Sequence, residues 1–149
     1  MKMHHIGICV KNIEKAQKKY EDLGYRIASK EKVGNQSIQD DYERNIRILF
    51  MENGIDDVMV ELIQLLDESK PSAVDFINKG KAGNYSDAIP YHICYEVEDI
   101  DLATEELRKK RFIVINSKQP TTEVLNNKCV TFMFNRSAGI IELIEKEKK

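Results

Sequence analysis

The chain has 149 residues, of which 42% are hydrophobic and 32% charged, with a net charge of −2. That length suits one globular domain with a core of its own, and the composition excludes a disordered chain. The near balance of charge excludes a basic footprint for nucleic acid or an anionic membrane, and no apolar run is long enough to span one. The start MKMHHIGICV lacks a signal-peptide core, and Cys9, Cys94 and Cys129 form no CxxC pair. The expectation is a cytoplasmic protein with reduced thiols.

In chain order, His4 to Val10 reads as a strand with Ile6, Ile8 and Val10 on one face and His5, Gly7 and Cys9 on the other. Asn12 is a helix N-cap, and Ile13, Ala16, Tyr20 and Leu23 form an apolar stripe at helical spacing. Gly24 closes that helix in a left-handed conformation. Strand-like runs follow at Tyr25–Lys32, Ile46–Met51 and Val58–Leu66, with turns at Gly34-Asn35 and Asn53-Gly54. Ser72 to Asn78 is weakly helical, and Gly80, Gly83, Asn84, Ser86 and Pro90 mark a linker.

The pattern then repeats. YHICYEVEDIDLATEELRKKRFIVI aligns without gaps on HHIGICVKNIEKAQKKYEDLGYRI, so that His92 meets His5, Asp99 meets Asn12 and Ala103 meets Ala16. Arg111 stands where Gly24 stood, which implies backbone strain. Three more strand-like runs are Phe112–Ile115, Cys129–Phe134 and Ile140–Ile144, with turns at Asn126-Asn127 and Ala138-Gly139. Glu142 in GIIELIE matches Glu61 in VMVELIQLL, and the tail from Glu145 is expected to fray. The order βαβββ therefore appears twice. This is an α+β architecture of two tandem modules, about 1–68 and about 90–149 around a linker of about 69–89, forming a curved mixed sheet in one domain.

His5, Glu61, His92 and Glu142 are polar residues on apolar strands, where an unpaired carboxylate is costly. Two imidazoles and two carboxylates suit a divalent transition metal with positions left for water or substrate. Taken singly, each has a plainer reading. His5 can be a buried histidine satisfied by a carbonyl, and Glu61 and Glu142 can face solvent. His4 can also replace His5, although its repeat position is Tyr91. The matched placement in both copies favours the metal. Cys9 and Cys94 share the faces of His5 and His92 and are read as small buried apolar residues in preference to ligands.

HHIGICVKNIEKAQKKYEDLGY, PYHICYEVEDIDLATEELRKKRF, VELIQLL and GIIELIE resemble the vicinal oxygen chelate superfamily, which includes glyoxalase I, bleomycin-resistance proteins, extradiol dioxygenases and methylmalonyl-CoA epimerases. The epimerase branch is the most similar. The resemblance implies two βαβββ modules curled around a metal-binding cleft, a homodimer, and a small-molecule substrate. It implies one divalent ion (cobalt, nickel, zinc, manganese or iron) held by His5, Glu61, His92 and Glu142. It further implies proton abstraction beside a carbonyl, with a metal-stabilised enolate and Glu142 as both ligand and base, on a carboxylated acyl-CoA thioester. A second acid/base from the third strand falls near Ile46–Ile48, where YERNIRILF offers Arg47, leaving Glu43 as the nearest carboxylate. Glyoxalase I chemistry is the first alternative. A sequestration protein of the bleomycin-resistance type is the second, ranked lower because all four ligand positions are filled. An extradiol dioxygenase ranks lower still.

Overall fold

The computed structural model describes residues 1–34, 37–75 and 86–147. Among them are nine strands and two α-helices in the order β1 (Lys2–Val10), α1 (Ile13–Asp22), β2 (Arg26–Ile27), β3 (Gln39–Asp41), β4 (Ile46–Glu52), β5 (Met59–Leu65), β6 (Ala88–Val97), α2 (Ile100–Lys109), β7 (Ile113–Pro120), β8 (Cys129–Asn135) and β9 (Gly139–Glu145). A short 3-10 helix, Glu123–Leu125, precedes β8. The chain forms two compact units, Ile6–Tyr91 and Met1–His5 with His92–Lys149. No described helix is long and apolar enough to cross a membrane.

In the unit Ile6–Tyr91 the strand order is β2-β4-β5-β1, with β3 paired to β4. α1 packs on one face of it. Val10, Leu49, Met51, Val60 and Leu62 are buried there with Ile13, and Ile8, Ala16 and Tyr20 pack against them. Alternation sends the intervening side chains to the opposite face, where Cys9, Ile63, Leu65 and Val74 form a second cluster. In the other unit the order is β6-β9-β8-β7, with β6 and β9 parallel and the remaining pairs antiparallel. α2 covers the face formed by Val97, Met133, Ile141 and Leu143, with Tyr95 packed against it.

The two copies are capped alike. The Asn12 side chain accepts from the Lys15 amide, and the Asp99 side chain accepts from the Leu102 amide. At the far end the Tyr25 amide donates to the Tyr20 carbonyl, and the Phe112 amide to the Leu107 carbonyl. This is the bond of a Schellman cap, which needs a left-handed residue just before it. Gly24 (φ 92°) and Arg111 (φ 68°) supply that residue. The accompanying apolar contact is Tyr20 against Tyr25, with ring centroids 5.4 Å apart. In the second copy Leu107 and Phe112 both pack on the α2 cluster. Nothing lies within 4 Å of a Cβ placed on Gly24, so the requirement there is one of backbone angle alone. Arg111→Gly is therefore expected to raise stability by about 0.5–1 kcal/mol, a gain of a few degrees in Tm for a chain of this size. Calorimetry checks it, and a loss of stability would contradict the strain.

Several elements depart from the sequence expectation. Leu23 leaves the apolar stripe and is 71% exposed, because α1 ends before it and it caps the helix. The strand expected over Tyr25–Lys32 is confined to Arg26–Ile27. After it, the Lys32 and Val33 amides turn back to the Ser29 carbonyl. The strand expected over Phe112–Ile115 runs on to Pro120 along β8, with two register shifts. Ala88 to Pro90, assigned to the linker, belong to β6. Asn35, Gly80, Gly83, Asn84 and residues 76–78 lie outside the described residues.

Glu52 fixes the turn after β2. Its buried carboxylate meets Arg26 Nη2 at 3.1 Å and Lys32 Nζ at 3.4 Å and accepts from the Ser29 amide. Burial opposes its ionisation, but these donors outweigh it and hold the carboxyl below its usual range. A lowered folded pKa gives stability that is full above the unfolded value and is lost as the pH falls. Glu52→Gln is thus expected to cost about 1–2 kcal/mol at pH 7, discounted because Arg26 is largely exposed. Denaturant melts should show that gap closing as the pH drops below about 4.5.

Candidate metal centre

Three of the residues matched by the repeat meet inside one unit. Glu142 on β9 is paired with Cys94 of β6 on one side and Phe132 of β8 on the other. Cross-strand partners share a sheet face, as do residues two apart on a strand. Glu142, Cys94, His92 and Phe132 therefore project together, on the face that α2 does not cover. The Phe132 ring stands edge-on to His92, with centroids 5.4 Å apart. His5, on the first residues of β1, joins them.

The three polar groups converge on one point. His5 Nε2 and His92 Nε2 are 3.1 Å apart. Glu142 Oε2 lies 3.1 Å from His5 Nε2 and 3.0 Å from His92 Nε2. All three residues are buried. Burial works against the carboxylate, yet hydrogen bonds from His5 and His92 hold Glu142 far below the usual carboxylate range. It is ionised at neutral pH.

The donor set fits a divalent cation. Adjacent donors of an octahedral ion with bonds of about 2.1–2.2 Å lie about 3.0–3.1 Å apart, whereas tetrahedral donors lie about 3.5 Å apart. The observed separations match the former. Two imidazole nitrogens and one carboxylate oxygen are also ligands that a mid-series divalent metal accepts. His5, His92 and Glu142 thus form a possible metal site.

Glu61 lies on β5 in the other unit, buried, with Met59 and Ile63 on its own face and Phe50 opposite it on β4. Its position on β5 repeats that of Glu142 on β9. Burial, with the Glu61 carboxylate adding to it, pushes the Cys9 thiol up to about 12. Cys9 is therefore a neutral thiol at physiological pH, in keeping with its reading as a small apolar residue. Glu43 is exposed, in the turn between β3 and β4. All three cysteines are free.

Sequence reasoning set His4 aside, because Tyr91 occupies its repeat position. His4 Nδ1 is nonetheless 2.8 Å from His5 Nδ1, with the rings edge-on at 73°. Burial, aided by His5, lowers the His4 imidazole to about 3, so it is neutral. The signal available was the His-His pair itself, since Nδ1 is the ring nitrogen nearest the main chain and adjacent histidines can meet there.

The chain is similar to known proteins in sequence and in fold. A curated ethylmalonyl-CoA/methylmalonyl-CoA epimerase from Cereibacter sphaeroides is 29% identical over 120 residues, covering 80% of this chain and 78% of that one. The mitochondrial methylmalonyl-CoA epimerase of Homo sapiens is 28% identical over 149 residues, 99% of this chain and 73% of its own length. Among solved structures, the methylmalonyl-CoA epimerase of Mycobacterium tuberculosis superposes with a TM-score of 0.74 at 20% identity, covering 99% of this chain and 89% of that one. This α+β fold is thus the fold of that structure. Residues 4–132 match the Glyoxalase/Bleomycin resistance protein/Dioxygenase superfamily, and the chain belongs to that family.

Proposed function

We propose that this protein is a metal-dependent epimerase-like isomerase that removes the proton beside the carbonyl of a carboxylated acyl-CoA thioester. The observation that carries this reading is the convergence of His5 Nε2, His92 Nε2 and Glu142 Oε2 to within 3.1 Å of one another. Sequence similarity to epimerases of methylmalonyl-CoA supports the substrate class.

His5, His92 and Glu142 hold one divalent ion. When bound, the cation supplies Lewis-acid stabilisation of the negative charge that develops on the thioester oxygen. Glu142 is the base. Its Oε2 is engaged by both imidazoles, which leaves Oε1 to receive the substrate proton. The acid and the base must be matched for this to run, and an ionised ligating carboxylate is a weak base. The carbon acid must therefore be made more acidic in the site. The Phe132 ring beside His92 helps exclude water, which strengthens each electrostatic contact.

Inversion needs a second group on the opposite face of the substrate. Glu43 is the carboxylate assigned to that role, although its exposure leaves it solvated. Incubation of methylmalonyl-CoA with the metal-loaded protein in deuterated water separates the steps. Deuterium should enter the α position. If Glu142 acts alone, exchange proceeds without racemisation. If racemisation keeps pace with exchange, Glu43→Gln should slow it while leaving exchange in place. Absence of both, with tight binding of a small ligand, would replace the enzyme with a sequestration protein.

A further inference from the structure

His5 has two ring nitrogens, and both are engaged. Its Nε2 faces His92 and Glu142, while its Nδ1 meets His4 Nδ1 at 2.8 Å. An imidazole that ligates through Nε2 must carry its proton on Nδ1. That proton needs an acceptor, because His5 is fully buried. His4 Nδ1 is at hydrogen-bond distance, and the edge-on ring geometry allows the bond.

Resting on the metal reading above, we infer that His4 is a positioning residue for the metal centre: its Nδ1 accepts the His5 Nδ1 proton and so keeps the His5 Nε2 lone pair aimed at the cation. The opposite tautomer places an N–H on His5 Nε2, aimed at Glu142 Oε2 where the ion would sit. Without the ion, His5 Nε2 carries the proton that it donates to Glu142; with the ion bound, the proton must sit on Nδ1, where His4 accepts it. Outer partners of ligating histidines act in this way, fixing ring orientation and raising ligand basicity. Here the partner is a second histidine, the preceding residue on the same strand. Tyr91 stands at the corresponding position before His92.

The test uses zinc as the probe and competition with a chromophoric chelator as the readout. His4→Leu removes the acceptor with little change in bulk. His4→Asn keeps an acceptor, since Asn Oδ1 branches from the same carbon as His Nδ1. His4→Leu is expected to weaken zinc binding about 10–100-fold, and His4→Asn to restore most of it. Circular dichroism checks that both variants fold. Nitrogen-15 spectra of the His5 ring supply a second readout, which a packing role would not move. The zinc-loaded wild type should show the proton on Nδ1, protected from exchange with water, and His4→Leu should lose that protection.

Wild-type zinc affinity in His4→Leu would overturn the inference, as would equal weakening in His4→Asn and His4→Leu. So would a second zinc equivalent lost in His4→Leu and in Cys94→Ala, because His4 would then be a ligand with its neighbour Cys94. If the wild type binds no zinc, the metal centre itself fails. If all three proteins bind zinc equally, only the role of His4 fails.

Discussion

His5→Ala and His92→Ala are each expected to lose most bound divalent metal when the purified proteins are compared by elemental analysis. Each change removes one of three donor atoms that lie within 3.1 Å of one another. The loss in affinity should exceed the 10–100-fold typical of an outer partner. The same variants have a thermal signature. A ligand that binds only the folded state adds about 2.7 kcal/mol at a hundredfold excess over Kd, or roughly 5–10 °C in a chain of this size. Wild type should gain that much on adding metal, and neither variant should. The metal-free melting points should differ much less, since truncation there relieves the crowding of buried polar groups around one point. Full retention of metal in both variants would refute the ligand assignment.

Glu142→Gln is the second large effect, and it separates ligand from base. An amide oxygen can still face the cation, so part of the metal should remain. It cannot accept a proton from carbon at any useful rate. Exchange of the α-proton should therefore fall by about 10²–10⁴-fold, beyond what the lost metal explains. Measuring exchange per bound metal gives the comparison. A fall in proportion to metal content alone would leave Glu142 as a ligand and move the base elsewhere.

The repeat made much of this legible in the sequence. Matched positions in two copies turned four unremarkable residues into a set, and three of them meet within one unit. The helix caps were equally readable, because Asn12, Asp99 and Gly24 each have a local chemical reason to be where they are. The strain at Arg111 followed from Gly24 by position alone, and its φ of 68° agrees. What escaped was set by longer-range contacts. β3 is Gln39–Asp41, a polar run with no apolar alternation, and pairs with β4 while Asp40 binds Arg47 at 2.9 Å. The polar end of β7 is likewise held by β8 rather than by its own pattern. The 2-residue β2 ends where the buried Glu52 gathers Arg26, Ser29 and Lys32. His4 escaped for a different reason. Comparison of the two copies finds what they share, and His4 is an asymmetry between them.

The central claim is that metal held by His5, His92 and Glu142 is needed to move the substrate proton. The most direct measurement is α-proton exchange of methylmalonyl-CoA in deuterated water with wild-type protein, first stripped of metal by a chelator and then given back one equivalent of a divalent ion. The expected result is negligible exchange in the stripped protein and its return on adding the ion, with no return in His92→Ala. Exchange at an undiminished rate in protein shown by elemental analysis to be metal-free would contradict it.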